Sequence, residues 1–243
     1  GDGLAVGAPN DDGANFGPDE TGAAYLFSFT DTDFNGGTLE STLGSDYTGG
    51  KNVDVANLDN LDNFGTSVSL NAVGDRLAVG AGGDDGADNG SGNSGAAYLF
   101  SFADTDYNGG TLESKIGSGY TVDVANLEAS DEFGSSVSLN GAGDRLAVGA
   151  QQDDDAGNVA TDTGAAYLFS FTDSDFNGGT LESKIGKGYT GGKNVDVSKL
   201  DDGDRFGTSI SLNAAGDRLA VGANADDGVD SETDSGAAYL FSL

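Results

Sequence analysis

Arg76-Leu77-Ala78-Val79-Gly80-Ala81, followed by Gly95-Ala96-Ala97-Tyr98-Leu99-Phe100-Ser101-Phe102, decides the fold because it returns. Gly3-Leu4-Ala5-Val6-Gly7-Ala8 leads to Gly22-Ala23-Ala24-Tyr25-Leu26-Phe27, and the same pairing starts again at Arg145 and at Arg218. The leucines of the first element stand at 4, 77, 146 and 219, spaced by 73, 69 and 73 residues. A fixed period of this size marks a repeat architecture, in which each unit buries its apolar face against its neighbours.

Within one period the pattern is that of short strands. Residues 76–80 are compact, apolar and bounded by turn residues, and form strand B. Residues 95–102 form strand C, with Tyr98, Phe100 and Phe102 on one face and Ala97, Leu99 and Ser101 on the other. Both faces are largely apolar, so C is expected to be covered on both sides. Residues 111–117 form strand D, whose charged face, Glu113 and Lys115, marks it as an exposed outer strand. Residues 133–139 form strand A. The loop Asn140-Gly141-Ala142-Gly143-Asp144 then turns A into the next B as a hairpin. The 42 glycines and the regular turn clusters oppose helix. One short helical turn is entertained, at residues 53–58. The class is all-β, with four antiparallel strands per repeat. The repeats cover residues 1–73, 74–142, 143–215 and, in part, 216–243. Strands run B-C-D, A-B-C-D, A-B-C-D, A-B-C, fourteen in all.

Phe64-Gly65, Phe133-Gly134 and Phe206-Gly207 each precede a short strand, a hairpin and a Val-Gly-Ala triplet. This resembles the FG-GAP repeat, the blade unit of integrin-α-type β-propellers and of large bacterial surface proteins. The resemblance spans essentially the whole chain, although only Gly7-Ala8-Pro9 keeps a literal Gly-Ala-Pro. It implies a propeller-like array of blades, outside the cell or at its surface. It also implies a Ca²⁺ loop of the type Asp-x-Asp/Asn-x-Asp-Gly in the A–B hairpin. Here that hairpin reads Asn71-Ala72-Val73-Gly74-Asp75 and its equivalents, with one carboxylate each. Ca²⁺ takes six to eight oxygens, usually with several carboxylates, so this site is expected to be lost.

Composition narrows the function. The chain carries 41 acidic against 10 basic residues, a net charge of −31, and no Cys, His, Met or Trp. Nucleic acid is excluded as a partner by the missing basic footprint. No apolar run is long enough to insert into a membrane. Without His or Cys there is no nucleophile–base pair of the usual kind, and every acidic cluster is repeated, so an enzyme is not expected. Three of the four arginines, Arg76, Arg145 and Arg218, follow the hairpin aspartate in register, which marks them as parts of the repeat; Arg205 is the fourth.

Two acidic motifs remain as candidates. Asp31-x-Asp33-x-Asn35-Gly36, Asp104-x-Asp106-x-Asn108-Gly109 and Asp173-x-Asp175-x-Asn177-Gly178 place oxygens at positions 1, 3 and 5 and Gly at 6. That is the opening of an EF-hand-type Ca²⁺ loop, and equally the composition of a C–D turn. The B–C loops carry Asp11-Asp12, Asp84-Asp85, Asp153-Asp154-Asp155 and Asp226-Asp227 on a constant scaffold. Such loops are where recognition concentrates. Asn89-Gly90-Ser91 is a single glycosylation sequon. The sequence therefore predicts an extracellular, non-catalytic structural or adhesive module. Its partners are other copies of itself or further repeats of the same polypeptide. The alternative is a Ca²⁺-dependent propeller that binds a glycan or a surface protein.

Overall fold

Strand order follows from the hairpin chemistry, and the computed structural model shows four sheets in succession. It describes residues 3–14, 19–228 and 233–243. The first sheet is Gly3–Ala8 (β1), Ala23–Ser28 (β2), Thr38–Gly44 (β3) and Val53–Asp54 (β4). The second is Phe64–Leu70 (β5), Arg76–Ala81 (β6), Ala96–Ser101 (β7), Thr111–Gly117 (β8) and Val122–Asp123 (β9). The third repeats it as Phe133–Leu139 (β10), Arg145–Ala150 (β11), Ala165–Ser170 (β12), Thr180–Gly186 (β13) and Val195–Asp196 (β14). The fourth is Phe206–Leu212 (β15), Arg218–Ala223 (β16) and Ala237–Ser242 (β17). Neighbours in sequence are neighbours in the sheet, and all the longer strands pair antiparallel, as a meander. The fourteen strands expected are all present.

Three more are not in the sequence reading. β4, β9 and β14 are two residues long and run parallel to the strand before them, as in Leu43↔Val53 and Gly44↔Asp54. Residues 53–58 therefore form no helical turn. β-branched Val53 and Val55 fit the pleated surface, and Val55 N–H donates to the Gly44 carbonyl at 2.9 Å. The same strands correct the reading of D as the outermost strand. Only the first half of β8 is exposed; Ser114 and Ile116 are buried, and β9 forms the rim.

The Phe-Gly pair explains how sheets join. In β5 the pairing runs Phe64↔Ala81 and then skips to Ser67↔Gly80, a bulge that bends the strand. Gly65 there has φ +94°, and a Cβ would lie 2.3 Å from the Ala23 carbonyl of the first sheet. No L side chain fits. Phe64 N–H donates to Thr21 O across the junction at 2.9 Å, with Phe133 to Ser94 and Phe206 to Thr163 at 3.0 Å. The Phe ring turns the other way, into its own sheet, edge-on to Tyr98 at 5.2 Å. One dipeptide thus anchors a strand and stitches it to its predecessor.

Strands A also touch one another. Val137 and Leu139 N–H groups donate to the hydroxyls of Ser67 and Ser69, and Leu212 N–H to Ser138, each at 2.9 Å. β5, β10 and β15 therefore lie side by side on one edge of the array, as inner strands of successive blades. Each hydrophobic cluster is shared between two sheets. Ala78, Ala97 and Leu99 of the second, for example, lie in one core with Val137, Leu146 and Tyr167 of the third. Strand C is covered on both faces in β7 and β12, as expected, but only on one in β17.

Candidate functional site

The C–D turns close on themselves. Asp104 Oδ1 accepts hydrogen bonds from the N–H groups of Asp106 and Asn108 at 3.1 Å, and Asn108 Nδ2 donates to both carboxylate oxygens at 3.0 and 2.9 Å. Asp31 with Asp33 and Asn35, and Asp173 with Asp175 and Asn177, repeat this arrangement. Hydrogen bonds from the asparagines hold the carboxyls of Asp31, Asp104 and Asp173 below their ordinary range. This is the hydrogen-bond pattern of an Asx turn.

Two of the turns are also docked on the preceding sheet. Asp175 pairs with Arg76 Nη2 at 2.8 Å, and the Asp106 carbonyl accepts from Lys51 Nζ at 2.7 Å. Lys51 also reaches Glu40. The glutamate nine residues after each first aspartate is bonded within its own sheet, Glu40 to Ser28, Glu113 to Ser101 and Glu182 to Ser170.

The A–B hairpins do not fit the Ca²⁺ loop that the resemblance implies. Asn71 Oδ1 accepts from the N–H groups of Gly74, Asp75 and Arg76, while its Nδ2 donates to Asp75 Oδ1 at 2.9 Å. Asn140 does the same in the next repeat. The amide accepts from three of the loop's N–H groups and donates to its one carboxylate. Among the described residues no three acidic groups converge as a metal site.

The B–C loops hold the most organised polar cluster. Asp84 is buried and accepts from Tyr98 Oη at 2.5 Å, from Tyr120 Oη at 2.8 Å and from Gly86 N–H at 2.8 Å. Asp153 takes Tyr167 and Tyr189, Asp11 takes Tyr25 and Tyr47, and Asp226 takes Tyr239. The second aspartate of each pair pins the far end of its loop. Asp85 accepts from Asn93 N–H at 2.7 Å and Asp154 from Asp162 N–H at 3.0 Å. Lys115 and Lys184 lie over the tyrosine rings, 4.6 and 4.9 Å from the centroids of Tyr98 and Tyr167. Burial raises the phenols and lowers both lysines.

Sequence reading missed part of this cluster. Tyr47, Tyr120 and Tyr189 stand three residues after the last glycine of strand D, a recurring Gly-x-x-Tyr. Asp62, Asp131 and Asp204 stand two residues before the Phe of strand A. Each caps its own loop, Asp62 from Asp59 N–H at 2.8 Å and Asp131 from Glu128 N–H at 2.7 Å. Burial pushes Asp62 and Asp131 up to about 7 and Asp153 to about 6. A polar cavity of about 350 Å³ opens between Asp131, Asp154, Lys184 and Tyr189. The sequon is engaged as well, with Asn89 Nδ2 donating to Asp59 at 2.5 Å.

Successive antiparallel meanders, joined through their inner strands and cores, define a protein of propeller-like blades. The FG-GAP repeat family model matches residues 58–100, 125–169 and 198–241, more than half of the chain. The chain belongs to the FG-GAP repeat family. A comparison with curated proteins finds no match.

Proposed function

We propose that the chain is a non-catalytic structural and adhesive module of an extracellular or cell-surface assembly. Its partners are other copies of itself or further repeats of the same polypeptide. One observation carries this reading. The carboxylates that could perform chemistry recur in register from sheet to sheet and are spent on their own backbone and tyrosines, as at Asp84, Asp153 and Asp11. An active site needs a group that departs from the repeat and faces a substrate. The acidic surface suits a medium whose salt screens self-repulsion.

The test is sedimentation velocity at increasing chain concentration, in about 150 mM NaCl, with Ca²⁺ or with EDTA. Concentration-dependent association that persists in EDTA is expected. A chain that stays monomeric at every concentration in both media overturns the self-associating reading.

The second reading is Ca²⁺-dependent recognition of a glycan or protein, with the C–D turns as metal sites. The exposed carboxylates of Asp33 and Asp106 favour it, being free of the bonds that occupy Asp31 and Asp104. It requires Asn108 to turn its amide by half a revolution, so that oxygen rather than nitrogen faces the cation. Association that appears only with Ca²⁺ supports it.

A further inference from the structure

A small polar cavity recurs in two successive sheets. In the third sheet it has about 350 Å³, bounded by Asn126, Glu128, Asp154, Asn158, Lys184 and Tyr189. In the second sheet Asn57, Asp59, Asn89, Lys115 and Tyr120 line a cavity of about 520 Å³ at the corresponding place. The rim is tied alike in both, with Asn158 Nδ2 donating to Glu128 and Asn89 Nδ2 to Asp59, each at 2.5 Å. Asn126, Glu128 and Asn158 are exposed at that rim, whereas Lys184 and Tyr189 are half-buried.

The fold does not require the lysines. Tyr98 pairs with Lys115 and Tyr167 with Lys184 across strands C and D, whereas Tyr25 of the first sheet pairs with Thr42. Tyr25 and Tyr47 still reach Asp11, at 2.6 and 2.9 Å. The tyrosine–aspartate network therefore forms without a lysine. Lys51, Lys187 and Lys193 each reach a carbonyl or carboxylate oxygen. Among the described residues Lys115 and Lys184 have no such acceptor. They only face tyrosine rings, Lys115 at 4.6 and 5.3 Å and Lys184 at 4.9 and 5.4 Å from the centroids. Burial disfavours their charge, yet their N–H donors stay unspent.

Charge and volume narrow what could take those donors. Glu128, Asp131 and Asp154 repel an anion, and Lys184 repels a cation. A hydroxyl suits both, accepting from the ammonium and donating to a carboxylate. Asn158 occupies Glu128 Oε1 and the Asp162 N–H occupies Asp154 Oδ1, which leaves the second oxygen of each to accept. Small-ligand pockets span about 300–1,000 Å³, and cavities near the lower end suit one sugar residue rather than a chain. We propose that the two cavities bind single uncharged sugar residues, with Lys115 and Lys184 as hydrogen-bond donors to the sugar. The proposal rests on the adhesive reading and gives its B–C loops a ligand class; it needs no Ca²⁺.

The experiment is an NMR titration of the isotope-labelled full chain with glucose, galactose and mannose in turn, in EDTA and about 150 mM NaCl. Saturable shifts of the Lys115, Tyr120, Lys184 and Tyr189 amides with at least one of these sugars are expected. Lys115→Thr with Lys184→Thr places there the residue type of Thr42, so the fold should be kept. It should weaken binding at least about tenfold, as loss of a charge-assisted hydrogen bond requires. Lys184→Thr alone should silence the third sheet's cavity and spare the second. No saturable shift with any of the three sugars overturns the site, and so does binding indifferent to the lysine variants. Shifts produced by arginine and not by sugar would assign the cavities to a cation, and shifts that need Ca²⁺ would move recognition to the C–D turns; either overturns the proposal. Sedimentation decides the assembly reading separately, since a chain that associates but takes up no sugar loses only these sites.

Discussion

Asp84 shows how a residue that looks chemical is structural. Its carboxylate is the acceptor for the buried phenol of Tyr98 and the half-buried phenol of Tyr120, both kept protonated by their burial. Removing it orphans both donors, at about 1–3 kcal/mol each. Asp84→Ala should therefore lower stability by about 2–5 kcal/mol in urea unfolding; a change within experimental scatter would contradict the assignment. Gly134 makes a similar point for the backbone. Its φ of +95° and the 2.2 Å approach of a Cβ to Ala96 O leave no room for alanine. Gly134→Ala should cost about 2–4 kcal/mol from left-handed strain and overpacking together.

The buried acids set the pH response. Asp62 and Asp131 titrate near 7 in the folded chain and Asp153 near 6, against about 3.9 when unfolded. Between those limits the folded chain holds protons that the unfolded chain has released. Stability therefore falls as pH rises from about 4 to 7, and returns as pH is lowered. Thermal melts of the wild type should move upward from pH 7.5 to pH 5, by the sign of these shifts. Asp62→Asn with Asp131→Asn should flatten that slope; an unchanged slope would assign it to surface repulsion alone.

Strand by strand, the fold was largely legible. Two-sided apolar runs such as Tyr98-Leu99-Phe100 could only be covered strands, and in β7 and β12 they are. Phe100→Ala and Phe169→Ala should each cost about 3–5 kcal/mol. Phe241→Ala, on the half-covered β17, should cost about 1–2 kcal/mol. Equal losses at all three would mean that β17 is covered too. What the pattern concealed were β4, β9 and β14, because a two-residue strand has no period to read. The candidate site was legible in composition but not in direction. Asp-x-Asp-x-Asn-Gly reads alike as a metal loop and as an Asx turn, since both need an oxygen at position 1 and a Gly at 6. The structure shows the bonds of the Asx turn, from Asn108 to Asp104. The tyrosines that engage Asp84 stand 14 and 36 residues away from it, beyond any local motif. If the turns do hold Ca²⁺, Asp104→Asn with Asp106→Asn should remove part of a Ca²⁺-induced rise in melting temperature at about 150 mM NaCl. Our expectation is that the rise is the same in the variant, as diffuse screening requires.

Taken whole, the molecule is a row of sheets whose cores lie between neighbours, so stability should grade from the middle outward. β7 and β12 have a sheet on either side; β17 has one. The central claim is that blade packing and internal hydrogen bonds, not bound metal, hold this row together. Hydrogen exchange of the native chain, with EDTA and with Ca²⁺, tests it most directly. The account predicts slow exchange of the β7 and β12 amides, equal in the two media, with β17 exchanging much faster in both. Loss of β7 and β12 protection in EDTA would contradict it.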